Sequence, residues 1–224
     1  MKSTLVVICG VAALAAVGCQ SSTYSPPEFE VKESAYSRYH DVSGAQVQVL
    51  LEGGTRPCTR PENSAAPLLK APTGERHVKI TAGPNVYEDT YNFEPGESYT
   101  FLIYGDPEDP QLATWSGDTR EIEEGAMMKV KNLMDRDVEI NVNGKSFTAS
   151  ADSLSDEFSI SPNSTQATCV IDGVELSGDF ANNKNGSSYL IVVHDSGGEP
   201  KMQVLLSSMS LSVEGLSGAS AIGG

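Results

Sequence analysis

Basic residues are scarce in this 224-residue chain: 15 Lys plus Arg stand against 30 Asp plus Glu, a net charge of -15. A field of that sign repels phosphate backbones instead of neutralising them, which excludes nucleic acid as a direct partner. Long apolar runs are missing after residue 19. A spanning helix needs ~18 to 20 such residues, so the mature chain is expected to cross no membrane and at most to be tethered to one. No segment carries apolar residues at i, i+3, i+4 and i+7 over ~11 positions, which leaves little or no helix. The G-x-S-x-G elbow, H-E-x-x-H, the P-loop, G-x-G-x-x-G and C-x-x-C are all absent. With them go the local signatures of hydrolases, zincins, nucleotide binders and thiol oxidoreductases. What remains is 39% hydrophobic residues and 21 glycines, enough to bury a core.

The N-terminal stretch sets the expected compartment. Lys2, the apolar run Leu5 to Val17 and the small residues before Cys19 read as an export signal over 1–18. A cysteine directly after Val17-Gly18 resembles the bacterial lipoprotein signal, in which the cysteine is acylated and becomes the new N-terminus. Gln20 in place of Asp points to a lipid-anchored periplasmic protein of the outer membrane. Residues 19–36, rich in Ser, Pro and Glu, read as lipid anchor and tether, and the Gly- and Ser-rich 212–224 as a flexible tail. Cys9 leaves with the signal and Cys19 takes the lipid. Cys58 and Cys169 then either bridge or stay as two free thiols. In Thr168-Cys169-Val170, strand alternation places Cys169 opposite Val170, which favours a reachable thiol at 169.

Between tether and tail the chain repeats itself. Residues 77–103 lie over 167–193 at an offset of 90, bringing Gly83 to Gly173, Gly96 to Gly186, Ser98 to Ser188 and Tyr99 to Tyr189. Upstream, 45–51 is matched to 127–133. Each half consists of short alternating strands divided by turn clusters, among them Asn143-Gly144 and Asp172-Gly173, pairs that supply positive φ for tight hairpins. The expected architecture is all-β: two tandem immunoglobulin-like sandwich domains, 37–118 and 126–211, joined by a linker at 119–125.

Chemistry-bearing residues are few. His194-Asp195-Ser196 imitates a triad, but neighbours on an extended chain face opposite ways, so the stretch reads as a strand entering the turn Ser196-Gly197-Gly198. His40, His77 and His194 are too scattered for a zinc site and read as solvated. Asp179 with Asn182, Asn183 and Asn185 makes a weak calcium loop and a better hairpin turn. No metal or cofactor is expected. One cluster, Tyr87, Asp89, Tyr91 and Phe93, falls on one face of a strand, where aromatics beside an acid can stack on sugar rings; the same alternation suits an inward core row. Trp115 is open to both readings.

Lys129 to Lys145 (KVKNLMDRDVEINVNGK) resembles the opening of the second domain of the alginate biosynthesis protein AlgF family. Ser37-Arg38-Tyr39 ahead of Gly44-Ala45-Gln46-Val47 is similar to that family's lead-in, and Tyr99 to Ile103 with Gly105 to Leu112 to its Tyr-rich strand and turn. The resemblance implies a non-catalytic periplasmic adaptor for O-acetylation of an exopolysaccharide, linking membrane-bound O-acyltransferase machinery to a periplasmic acetyltransferase. It carries over no catalytic residue. The competing expectation is a surface lipoprotein whose sandwiches serve adhesion or envelope structure.

Overall fold

The computed structural model describes residues 34–60, 68–118, 125–180 and 186–209. The expected signal, Cys19, residues 19–33 of the tether, 119–124 of the linker, the 181–185 turn and the tail lie outside them. Every regular element among the described residues is a strand. In the first half these are β1 (Ala35–Asp41), β2 (Val47–Leu51), β3 (Gly54–Arg56), β4 (Leu69–Ala71), β5 (Gly74–Ala82), β6 (Asn85–Phe93), β7 (Glu97–Asp106) and β8 (Asp109–Asp118). In the second they are β9 (Ala126–Asn132), β10 (Val138–Val142), β11 (Lys145–Ala149), β12 (Ser153–Leu154), β13 (Phe158–Ile160), β14 (Gln166–Ile171), β15 (Val174–Asp179), β16 (Ser187–Ser196) and β17 (Glu199–Met209). β1 opens inside the stretch expected to be tether, because Ala35 is fully buried and pairs with Ala71.

The duplication is visible in connectivity. The first half forms sheets β4-β1-β7-β8 and β3-β2-β5-β6; the second forms β12-β9-β16-β17, with β13 also on β9, and β11-β10-β14-β15. In each half an early strand runs parallel to the long late one, Tyr36 beside Ser98 and Met127 beside Ser188. This corrects the expected upstream match: β9 corresponds to β1, and 45–51 belongs with β10. Downstream, Gly96 and Gly186 keep their equivalence, with φ of 83° and 80°. The β5–β6 hairpin turns on Gly83-Pro84 and the β14–β15 hairpin on Asp172-Gly173. Gly83 (φ 52°) therefore corresponds to Asp172 (φ 53°), one residue off the ungapped match. Proline fixes a negative φ at the second turn position, so the first hairpin takes a single left-handed residue and the second takes two.

Each half buries a core between its two sheets. Tyr39, Val49, Leu51, Val78, Ile80, Phe93, Phe101 and Ile103 fill the first; Met128, Val130, Ile140, Ala167, Cys169, Tyr189, Ile191 and Val193 fill the second. A third cluster joins the halves. Val42, Leu102, Leu190, Val192 and Leu205 are buried together, with Tyr104, Trp115, Leu133 and Leu154 packed against them. The sheets containing β7 and β16 thus meet on their outer faces. Both strands are covered on two sides, which is why Phe101-Leu102-Ile103 and Leu190-Ile191-Val192-Val193 are apolar runs and not alternations. Polar groups cross the same join: the Arg38 guanidinium donates to the backbone carbonyl and hydroxyl of Ser207, and Gln203 Nε2 donates to the Val42 carbonyl at 3.2 Å. All described residues belong to one compact unit.

Candidate functional site

The inward row of β6 ends in the core and begins at an opening. Phe93 is fully buried, its ring 4.5 Å from that of Tyr99, so it is a core residue and not a sugar contact. Tyr91 stands edge-on to Phe101 at 5.1 Å and is half-buried; Tyr87 is half-buried and donates its hydroxyl to the Pro110 carbonyl on β8. Between them Asp89 pairs across the strand with Val78, which puts it on the same inward face, yet it is exposed. It fronts a cavity of about 300 Å³ between β6 and β8, lined by Val78, Ile80, Tyr87, Asp89, Tyr91 and Leu112. Burial raises the Tyr91 hydroxyl above its ordinary range, the Asp89 charge raises it further, and a hydrogen bond with Thr114 works against both. Tyr91 is therefore a neutral phenol at physiological pH. On the outer face Lys79 and His77 each hold Glu88 at 3.0 Å; the Lys79 hydrogen bond leads in keeping that exposed carboxyl below its usual range.

The repeat explains why the matching position of the second half is closed. With the turns aligned, Asp89 corresponds to Gly178 and Thr114 to Val204. In the second half these close the gap: a Cβ on Gly178 would stand 2.6 Å from Val204 Cγ2. The missing side chain is what lets β15 approach β17. Gly178→Ala is expected to cost about 1 to 3 kcal/mol by overpacking, read as a lower urea midpoint at unchanged m-value.

The remaining expected sites resolve differently. Cys169 is buried in the second core, its sulfur 3.6 Å from that of Met202, while Val170 is 68% exposed. The reachable-thiol reading of Cys169 is thus reversed, since Ala167 and Ile171 set the inward phase of β14. Cys58 packs against the first core, and both thiols are free, so no bridge joins them. Burial pushes Cys58 up to about 12 and Cys169 up to about 11, far from a reactive thiolate. The Pro57–Arg60 stretch folds onto β1: Thr59 exchanges backbone bonds of 3.0 and 2.9 Å with Tyr39 and Asp41, and Arg60 pairs with buried Asp41 at 3.2 Å.

His194, Asp195 and Ser196 do end a strand at the turn. The His194 ring is buried in the join, 6.1 Å from that of Tyr104, while Asp195 Oδ1 accepts the Gly198 amide at 2.7 Å and Ser196 Oγ accepts from Lys201 at 3.1 Å. None of the three is set up to activate another. His77 is exposed as expected, but His40 and His194 are not solvated; burial lowers both, His40 to about 3. Neither Nε2 has a partner among the described residues. The signal for this was sparse: His40 stands between Tyr39 and Asp41 and His194 between Val193 and Asp195, and the face each occupies is covered by the other half.

The motif around Asn132 also has a structural explanation. Asn132 is fully buried, donates to the carbonyls of Arg136, Ala149 and Ser150 at 2.8, 3.1 and 3.0 Å, and accepts the Met134 amide at 3.0 Å. It knots the turn from β9 into β10, where Arg136 enters through its backbone carbonyl and Leu133 packs against the join. Compared with known proteins, the chain matches no protein-family model and none of the curated proteins.

Proposed function

We propose that this chain is a non-catalytic envelope adaptor for O-acetylation of an exopolysaccharide, alginate or similar, anchored in the outer membrane through lipid on Cys19. The observation that carries the reading is the join between the halves. An adaptor must hold two surfaces at a fixed separation, and a cluster of fully buried side chains with Arg38 bonded across it does so. The likeness of Lys129 to Lys145 to the AlgF family supplies the pathway. The mechanism is positional: keeping an acyl-donor complex and an acetyltransferase on one tethered body raises the effective concentration of each at the other to about the mM range. A surface of this acidity suits a basic protein partner and opposes tight binding of a polyuronate.

The second reading, a surface lipoprotein with binding modules, draws on the cleft between β6 and β8. Affinity capture from envelope extracts separates the two. The adaptor reading expects an acyltransferase or acetyltransferase to be recovered ahead of polysaccharide; recovery of polysaccharide alone favours the second.

A further inference from the structure

We propose that the cleft between β6 and β8 binds a neutral pyranose unit of a glycan, with Asp89 accepting from ring hydroxyls and Tyr87, Tyr91 and Leu112 covering the C–H face. This rests on the surface-acting reading of the chain and not on the acetylation role. Three observations converge on it. First, the cavity is not repeated at the matching position of the second half: there Gly178 closes against Val204, while the first half carries a carboxylate. Asp89 is exposed, so its carboxylate is open to solvent or to a ligand.

Second, Asp89 has acceptor capacity to spare. Its Oδ1 takes the Thr90 amide at 2.7 Å, and no cation among the described residues pairs with it, in contrast to Glu88 beside it. Third, the lining is amphipathic. Val78, Ile80 and Leu112 give an apolar floor between two half-buried tyrosines. About 300 Å³ lies at the lower end of the ~300 to 1,000 Å³ of ligand sites, room for one ring and not for an extended segment. A pyranose has this division, one edge of hydroxyls and one face of C–H groups.

The charge selects within that class. A uronate would bring its carboxylate to Asp89 and to the Glu88 rim on a chain of net charge -15. A small ammonium would be drawn to Asp89 and the Glu88 rim, yet it brings no C–H face to cover the apolar floor of Val78, Ile80 and Leu112. The neutral ring meets both the carboxylate and the floor.

Amide-resolved NMR titration of the mature chain tests this with four probe sets: the methyl glycosides of glucose, mannose and galactose; methyl glucuronide; choline; and butylammonium. At least one neutral glycoside should give saturable shifts at Ile80, Asp89 and Leu112, with methyl glucuronide at least tenfold weaker. Asp89→Asn, isosteric at an exposed position, should narrow the gap between neutral sugar and glucuronide. Asp89→Gly, which copies the second half, should weaken neutral-sugar binding at least tenfold while the spectrum stays dispersed. No saturable shift from any neutral glycoside, tighter binding of the glucuronide or of either ammonium, or full binding by folded Asp89→Gly would each overturn the proposal. Polymer acetylation does not enter this assay, so failure of the adaptor reading and failure of the sugar site are separate results.

Discussion

Lowering the pH from 7.5 to 4.5 should cost this protein about 2 to 3 kcal/mol of folding stability through His40 alone. His40 lies on β1 beside Leu102, on the face covered by the second half, and is 1% exposed. Burial disfavours the imidazolium, the neighbouring Arg38 charge disfavours it further, and together they pull the folded value down to about 3. The sign follows from which state takes the proton first. The unfolded chain protonates His40 near its ordinary ~6.5 while the folded chain holds it neutral, so acid favours unfolding. The stability is fully present above about pH 7 and is lost as pH falls from ~6.5 towards the folded value, at ~1.4 kcal/mol per unit. His194, buried in the same join and also lowered, adds loss in the same direction. Urea unfolding at both pH values checks this. His40→Gln should lose markedly less stability between them, and an equal loss in wild type and variant would mean that His40 does not carry the effect.

Leu102→Ala should destabilise the whole molecule by about 2 to 5 kcal/mol, the range for emptying a fully buried leucine site. The side chain is fully buried, but not in its own sandwich core; it meets Leu190, Val192 and Leu205 of the other half. The loss should therefore appear in both halves. Amide exchange of β16 residues ought to speed up with that of β7, and Trp115 fluorescence ought to report the same midpoint as amide signals from β14. Val86→Ala, at an exposed position, is the control and should stay within ~0.5 kcal/mol. Unfolding of the β7 half alone, with β16 exchange unchanged, would show that the halves are not energetically one body.

The all-β class was legible because its signals are local: alternation as in β5, where Val78, Ile80 and Ala82 are buried between more exposed neighbours, and turn pairs such as Asn143-Gly144. The repeat was legible for the same reason, but its register at the first hairpin was not. Aligning glycine with glycine set Asp89 over Asp179 and hid its true counterpart Gly178, and with it the reason one sandwich edge is open and the other closed. Cys169 shows a related limit. With apolar residues at both 169 and 170, alternation admits two phases, and only Ala167 and Ile171 decide between them. The join between the halves lay furthest out of reach. Arg38 and Ser207 are 169 residues apart, and nothing near either one marks the other as its partner.

The role proposed for this protein is to hold other molecules in place in the service of polymer acetylation. Measuring ester-linked acetyl groups on the extracellular polysaccharide of cells lacking the chain tests it most directly. Acetylation is expected to be lost while polymer yield is kept, the wild-type chain to restore it, and the purified protein alone neither to hydrolyse nor to transfer acetyl esters. Unchanged acetylation in the deletion, or acetyl turnover by the purified protein, would contradict it.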